Sequence, residues 1–191
     1  LKVVRESKPV LDQALERTGQ LVRQLRLAGR GDHAEAEPVD VNELVDGSLI
    51  LLAHELKQGV EVDLRLQEVP PVNGWPGPLG QVFLNLIQNA GQAMEGEGRI
   101  TVTSSVENGH VAVTVSDTGP GLPAGSEENL FSPGWTTKHE KEGTGLGLFI
   151  SKRIVDKHGG RIRAENGESG GAVFVVTLPA AGEGTPPVDV G

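Results

Sequence analysis

The chain has no cysteine, so disulfide staples and thiol chemistry are excluded, as expected for a cytoplasmic protein, whose parent is free to be membrane-anchored. Tyrosine is also absent, and four Phe with two Trp bring the aromatics to only 3%. Any core must therefore be built from Leu, Val, Ile and Ala. No apolar run is longer than residues 49–53, far short of the roughly 20 residues that a membrane-spanning helix needs, and no secretory leader pattern is visible. Positive charge is in short supply. Seventeen Lys and Arg face 26 Asp and Glu, for a net charge of -9. Such a surface speaks against nucleic acid or an anionic membrane as partner, while leaving room for a local cationic pocket.

At 191 residues, 37% of them hydrophobic, the chain can form one ordinary domain plus an appendage. Residues 1–27 carry a heptad stripe through Leu1, Val4, Lys8, Leu11, Leu15, Thr18, Val22 and Leu25. That spacing predicts a coiled-coil helix, limited or kinked at Pro9. Residues 29–39 read as a polar linker and residues 40–179 as the main domain. The Gly- and Pro-containing stretch 180–191 reads as a disordered tail.

Within the main domain, apolar positions at helical spacing predict helices over 41–58, 76–94 and 146–158. The alternating segment 60–66 predicts a strand with one wet face, and 99–106, 110–116, 161–164 and 172–178 predict four more. Asn108-Gly109 is a strong hairpin signal between two of these. Residues 69–74 read as a loop. The order helix, strand, helix, strand, strand, long loop, helix, strand, strand predicts a two-layer α/β sandwich on a mixed, mainly antiparallel sheet with helices on one face.

Four motifs carry chemistry. Asn85 and Asn89 lie four apart on one helical face. They are either plain helix-surface amides or oxygen donors to a magnesium ion, which takes few protein ligands beside phosphate oxygens. Asp117-Thr118-Gly119-Pro120-Gly121 at a strand end is either a simple turn or a carboxylate acceptor for an exocyclic amine, with glycines that let the backbone come close. The stretch Phe131 to Lys138, with Thr136-Thr137, is an apolar loop anchor or a lid hinged on Phe131 with Lys138 reaching phosphates. Gly143-Thr144-Gly145-Leu146-Gly147-Leu148 runs straight into a helix, whose free N–H groups and dipole favour phosphate.

In this order, the four motifs resemble those of the ATPase superfamily that holds gyrase, the ninety-kilodalton heat-shock chaperone, MutL and the histidine kinases, with the Bergerat fold. The closest resemblance is to the catalytic domain of two-component sensor histidine kinases, over about residues 40–179. It implies an ATP and Mg2+ site made of Asn85, Asn89, Asp117, Gly119, Gly121, Phe131, Thr137, Lys138, Gly143, Thr144, Gly145, Leu146, Gly147 and Leu148. Within that site Asn85 holds the metal, and Asn85 and Lys138 take part in catalysis. Residues 1–28 resemble part of the dimerisation and histidine-phosphotransfer hairpin. The implied partners are that hairpin's phosphoacceptor histidine, a response regulator and, in the intact kinase, a second copy of the chain, with no nucleic acid.

ATP-hydrolysing members of the superfamily carry a Glu base where this chain has Asn85, which is no useful base near neutral pH. That favours transfer to a histidine, a nucleophile that needs little activation. None of His33, His54, His110, His139 and His158 sits where the resemblance puts the acceptor, which leads to the expectation of a fragment beginning after it. His158 falls at a helix C-terminus, a favourable place for an imidazole. The resemblance also points to two departures. Gln92 stands where a basic residue is common, and Ala172 and Val173 offer no hydroxyl at the start of the last strand.

Overall fold

The computed structural model describes residues 35–56, 59–94, 96–126, 129–136 and 145–182. The heptad segment 1–27 and the end of the tail lie outside the described residues. In chain order the elements are β1 (Glu37–Val39), α1 (Val41–Leu56), β2 (Val60–Leu66), β3 (Val72–Gly74), α2 (Pro76–Ala93), β4 (Gly98–Glu107), β5 (His110–Asp117), α3 (Gly147–Lys157), β6 (Arg161–Asn166) and β7 (Ala172–Pro179).

Five strands form the main sheet in the order β2-β4-β5-β7-β6. Only β2 with β4 is parallel; the β4–β5, β5–β7 and β6–β7 pairs are antiparallel. The mixed, mainly antiparallel sheet read from the sequence is therefore what forms. Asn108 and Gly109 both take positive φ at the β4–β5 turn, the geometry that lets a two-residue hairpin follow strand twist.

The core lies between this sheet and the three helices. Leu79, Val82, Phe83, Leu86 and Ile87 of α2 are fully buried, and each such side chain contributes about 1.5–3 kcal/mol on leaving water. They meet alternate residues of the strands, among them Ile100, Val102, Val113, Val115, Phe174 and Val176. Helix α2 starts at Pro76, whose fixed φ suits a first helical position, and it packs against α1 on one side and α3 on the other. It is the central helix of the layer, so its exposed strip borders the site described below.

Three points differ from the sequence reading. Residues 37–39 and 72–74, read as linker and loop, pair as a small antiparallel sheet, with Val39 opposite Val72. Strand β2 lies at the sheet edge, where Val62 and Leu64 stay 38% and 42% exposed although they stand beside buried Ile100 and Val102; of its apolar residues, Val60 and Leu66 pack against the core. Packing also continues past residue 179. Ala180 is buried and its N–H donates to the Gly109 carbonyl, while that of Ala181 donates to Pro71.

Candidate functional site

Asp117 ends β5 and is buried, with 6% exposure. Its Oδ1 accepts from the N–H of Gly119 at 2.8 Å and from that of Ala172 at 3.2 Å. Both bonds fall on one oxygen, which orients the carboxylate and leaves Oδ2 to accept from a ligand amine. The first residue of β7 therefore serves the site through its backbone, although its side chain has no hydroxyl. Gly171, at φ 76°, passes so close that a Cβ there would overlap the Asp117 carbonyl oxygen. Gly121 is close as well, though less so: its Cβ would stand 2.6 Å from Asn166 Oδ1.

Asn166, the last residue of β6, holds the chain beyond this turn from both sides. Its Oδ1 accepts from the Leu122 N–H at 2.6 Å, and its Nδ2 donates to the Leu122 carbonyl at 3.1 Å. The turn bearing Gly119 also lies against the end of α2, where a Cβ on Gly119 would be 3.4 Å from the Ala93 carbonyl.

At the other end of the same strip of α2, Asn85 is buried and its Nδ2 donates to Ser151 Oγ of α3 at 3.0 Å. The amide also abuts Gly147, where a Cβ would meet Asn85 Oδ1 and lie 2.7 Å from Nδ2. Asn89 is half-buried one turn further along. Eight residues separate Asn85 from Ala93, or about 12 Å along the helix axis. The candidate groove beside α2 thus runs from the Asp117 turn to the start of α3. Helix α3 opens without a side-chain cap at Leu146, so its first N–H groups can bind an anion.

The loop between these ends is anchored by Leu130, 2% exposed, with Phe131 and Trp135 half-buried against the core. The anchor is thus Leu130 together with Phe131. The Gly134 N–H donates to the Gly145 carbonyl at 3.0 Å, and Gly145, at φ 64°, leaves no room for a Cβ beside Gly134. Leu146 and Leu148 pack partly buried on the core. Thr137, Lys138, Gly143 and Thr144 lie outside the described residues.

Two of the histidines read from the sequence lie outside the described residues, His33 and His139. His54 and His110 are accessible on α1 and β5. His158 follows α3 and is 3% exposed. Its Nδ1–H donates to the Ile154 carbonyl at 2.6 Å and its Nε2 accepts from the Trp75 N–H at 3.1 Å. Burial lowers its pKa below the usual 6.5; the Ile154 bond opposes this and neighbouring Lys157 adds to it. This imidazole is neutral and joins the end of α3 to the start of α2.

Among the described residues no cluster of three or more His, Asp or Glu could hold a metal by itself, and no helix is long and apolar enough to cross a membrane. Asn166, Gly171 and Ser151 were not singled out in the sequence. Their partners are tens of residues away along the chain, and only the sheet order and the α2–α3 packing bring them to the site.

Residues 76–182 match the family model of the histidine kinase-, DNA gyrase B- and HSP90-like ATPases. The chain belongs to this family and, within it, to the ATP-binding catalytic domains of sensor histidine kinases. It is 35% identical over 173 residues to the sensor histidine kinase ZraS of Escherichia coli strain K12, covering 89% of this chain and 37% of that protein. It is similar to the catalytic domain of the histidine kinase ThkA in a nucleotide-free form, with TM-score 0.70 and 36% identity over 76% of this chain and 97% of that domain. It is also similar to ThkA in complex with the response regulator protein TrrA, with TM-score 0.72 and 29% identity over 90% of this chain and 50% of that one. The chain spans little more than a third of the length of the curated relative.

Proposed function

We propose that this domain binds Mg-ATP and transfers the γ-phosphate to a histidine on a dimerisation hairpin of its kinase, for relay to an aspartate of a response regulator. Residues 1–28 are part of that hairpin, the linker ends before β1, and the catalytic domain runs from Glu37 to Ala181. The kinase works as a homodimer on the cytoplasmic side. The observation that carries this reading is the pair of ends of the α2 groove. Asp117 offers one carboxylate oxygen to an exocyclic amine, and the start of α3, which has no side-chain cap bond at Leu146, lies beside Asn85 at the other end.

The residues present fit a magnesium ion. With no carboxylate cluster among the described residues, a cation there would take most of its ligands from phosphate oxygens and water, with an α2 amide oxygen completing the shell. Asn85 and Asn89 supply such oxygens. The ion would neutralise charge on the phosphates. The protein's own part is positioning: Asp117 fixes the purine, the α3 N–H groups hold the phosphate chain, and Lys138 adds a positive charge. Asn85 provides no base to activate water, which favours transfer to an imidazole over hydrolysis.

The test is incubation with γ-labelled ATP, with and without a separately supplied hairpin domain carrying the acceptor histidine. Acid-labile label on the hairpin is expected; steady release of free phosphate, or no label on the hairpin, would refute transfer. Asp117→Asn replaces an acceptor oxygen with a donor and should weaken ATP binding at least about tenfold. Unchanged affinity would contradict the assigned purine pocket.

A further inference from the structure

A buried polar contact along the α2 groove joins Asn85 to Ser151. Both are buried, Ser151 at 1% exposure, and they lie 66 residues apart in the chain. A carboxamide has two unlike poles of nearly the same size, so a buried Asn faces a ligand with its oxygen or its N–H2 according to what its other pole meets. Ser151 Oγ accepts from Nδ2. That bond commits the nitrogen to α3 one turn beyond its start and leaves the carbonyl oxygen as the pole that can face a ligand, while both poles lie against Gly147 at the helix start.

We infer that Ser151 is a positioning residue, which fixes the Asn85 carboxamide with its oxygen toward the metal and phosphate end of the groove. This rests on the function proposed above. Ser151 itself touches neither nucleotide nor metal. Its effect passes through one buried hydrogen bond, without which the amide is free to rotate and present N–H2 to a cation. The smallness of Gly147 is the other half of the device, because any Cβ there would displace the amide.

The experiment measures ADP affinity of the 191-residue chain by calorimetry, with magnesium and with chelator, for the wild type, Ser151→Ala, Asn85→Asp and the double variant. Loss of one buried hydrogen bond predicts that Ser151→Ala reduces the affinity gain from magnesium by roughly 3- to 10-fold, while affinity in chelator stays within about twofold. In the Asn85→Asp background both poles are oxygens, so Ser151→Ala should leave the magnesium gain unchanged. An unchanged gain in the single variant, equal losses with and without magnesium, or the same loss in the Asp background would overturn the inference and leave the proposed function standing. A wild type that binds ADP without any magnesium gain would also overturn it. A folded wild type that binds no ADP at all would overturn the proposed function instead.

Discussion

Replacing His158 tests whether the two helix ends that it joins depend on a neutral imidazole. In His158→Ala the Trp75 N–H loses its acceptor in a buried setting, which costs about 1–3 kcal/mol. The edge contact with the Trp75 ring, at 5.0 Å between centroids, contributes a further ~0.5–1.5 kcal/mol. A loss of about 3 kcal/mol follows, or roughly 6–12 °C in Tm for a domain of this size. In His158→Gln an oxygen near the position of Nε2 can still accept from Trp75, and less than half of that loss is expected. The pH dependence has a definite sign. Burial lowers the folded pKa below 6.5, so as pH falls the unfolded chain takes up the proton first. The stabilisation is complete above the ordinary histidine pKa. It is lost as pH falls from there to the lowered folded value, below which the dependence levels off. Urea denaturation at about pH 7.5 and about pH 5.5 reads this directly, and His158→Gln at both values subtracts the other titrating groups. Equal pH slopes for the wild type and His158→Gln would refute the reasoning.

Two further substitutions separate packing from binding. Gly171→Ala must accept a left-handed φ, costing about 1–2 kcal/mol, and must push back the Asp117 carbonyl. Thermal melts should show a clear loss of stability, and nucleotide affinity should fall more than about tenfold; a variant that binds normally would contradict the placement of the β7 start. Asn166→Ala removes both bonds to Leu122 from an accessible position, so stability should drop by no more than about 2 kcal/mol. Amide exchange around residues 118–126 should quicken in that variant, and unaltered exchange would show that the clamp does not hold the turn.

What the sequence shows best is periodic or covalently local. The inward face of α2 repeats at 3.6 residues through Leu79, Val82, Phe83, Leu86, Ile87 and Ala90, all of them buried. Asn108-Gly109 encodes its own turn. Strands β1 and β3 were not legible because three residues are too few for a period, and Pro38 with Pro70 and Pro71 hides the pairing. The parts of the site made by long-range pairing were equally hidden. Asp117 was readable as an acceptor, but its two donors come from Gly119 and from Ala172, 55 residues on. His158 was read from its place at a helix end. Its burial, which decides its charge, follows from β3 and Trp75 packing over it, and no local pattern encodes that.

The bond between Gly134 and Gly145 has a consequence for how this domain can diversify. A stretch whose two feet are fastened together meets the same closure condition whatever lies between them, and doubling its length costs only about 0.6 kcal/mol in chain entropy. Residues can be added, removed or exchanged there without dragging on α3 or on the Leu130 anchor. Selection therefore has a stretch whose length and composition can vary while Leu130 and the start of α3 keep their places.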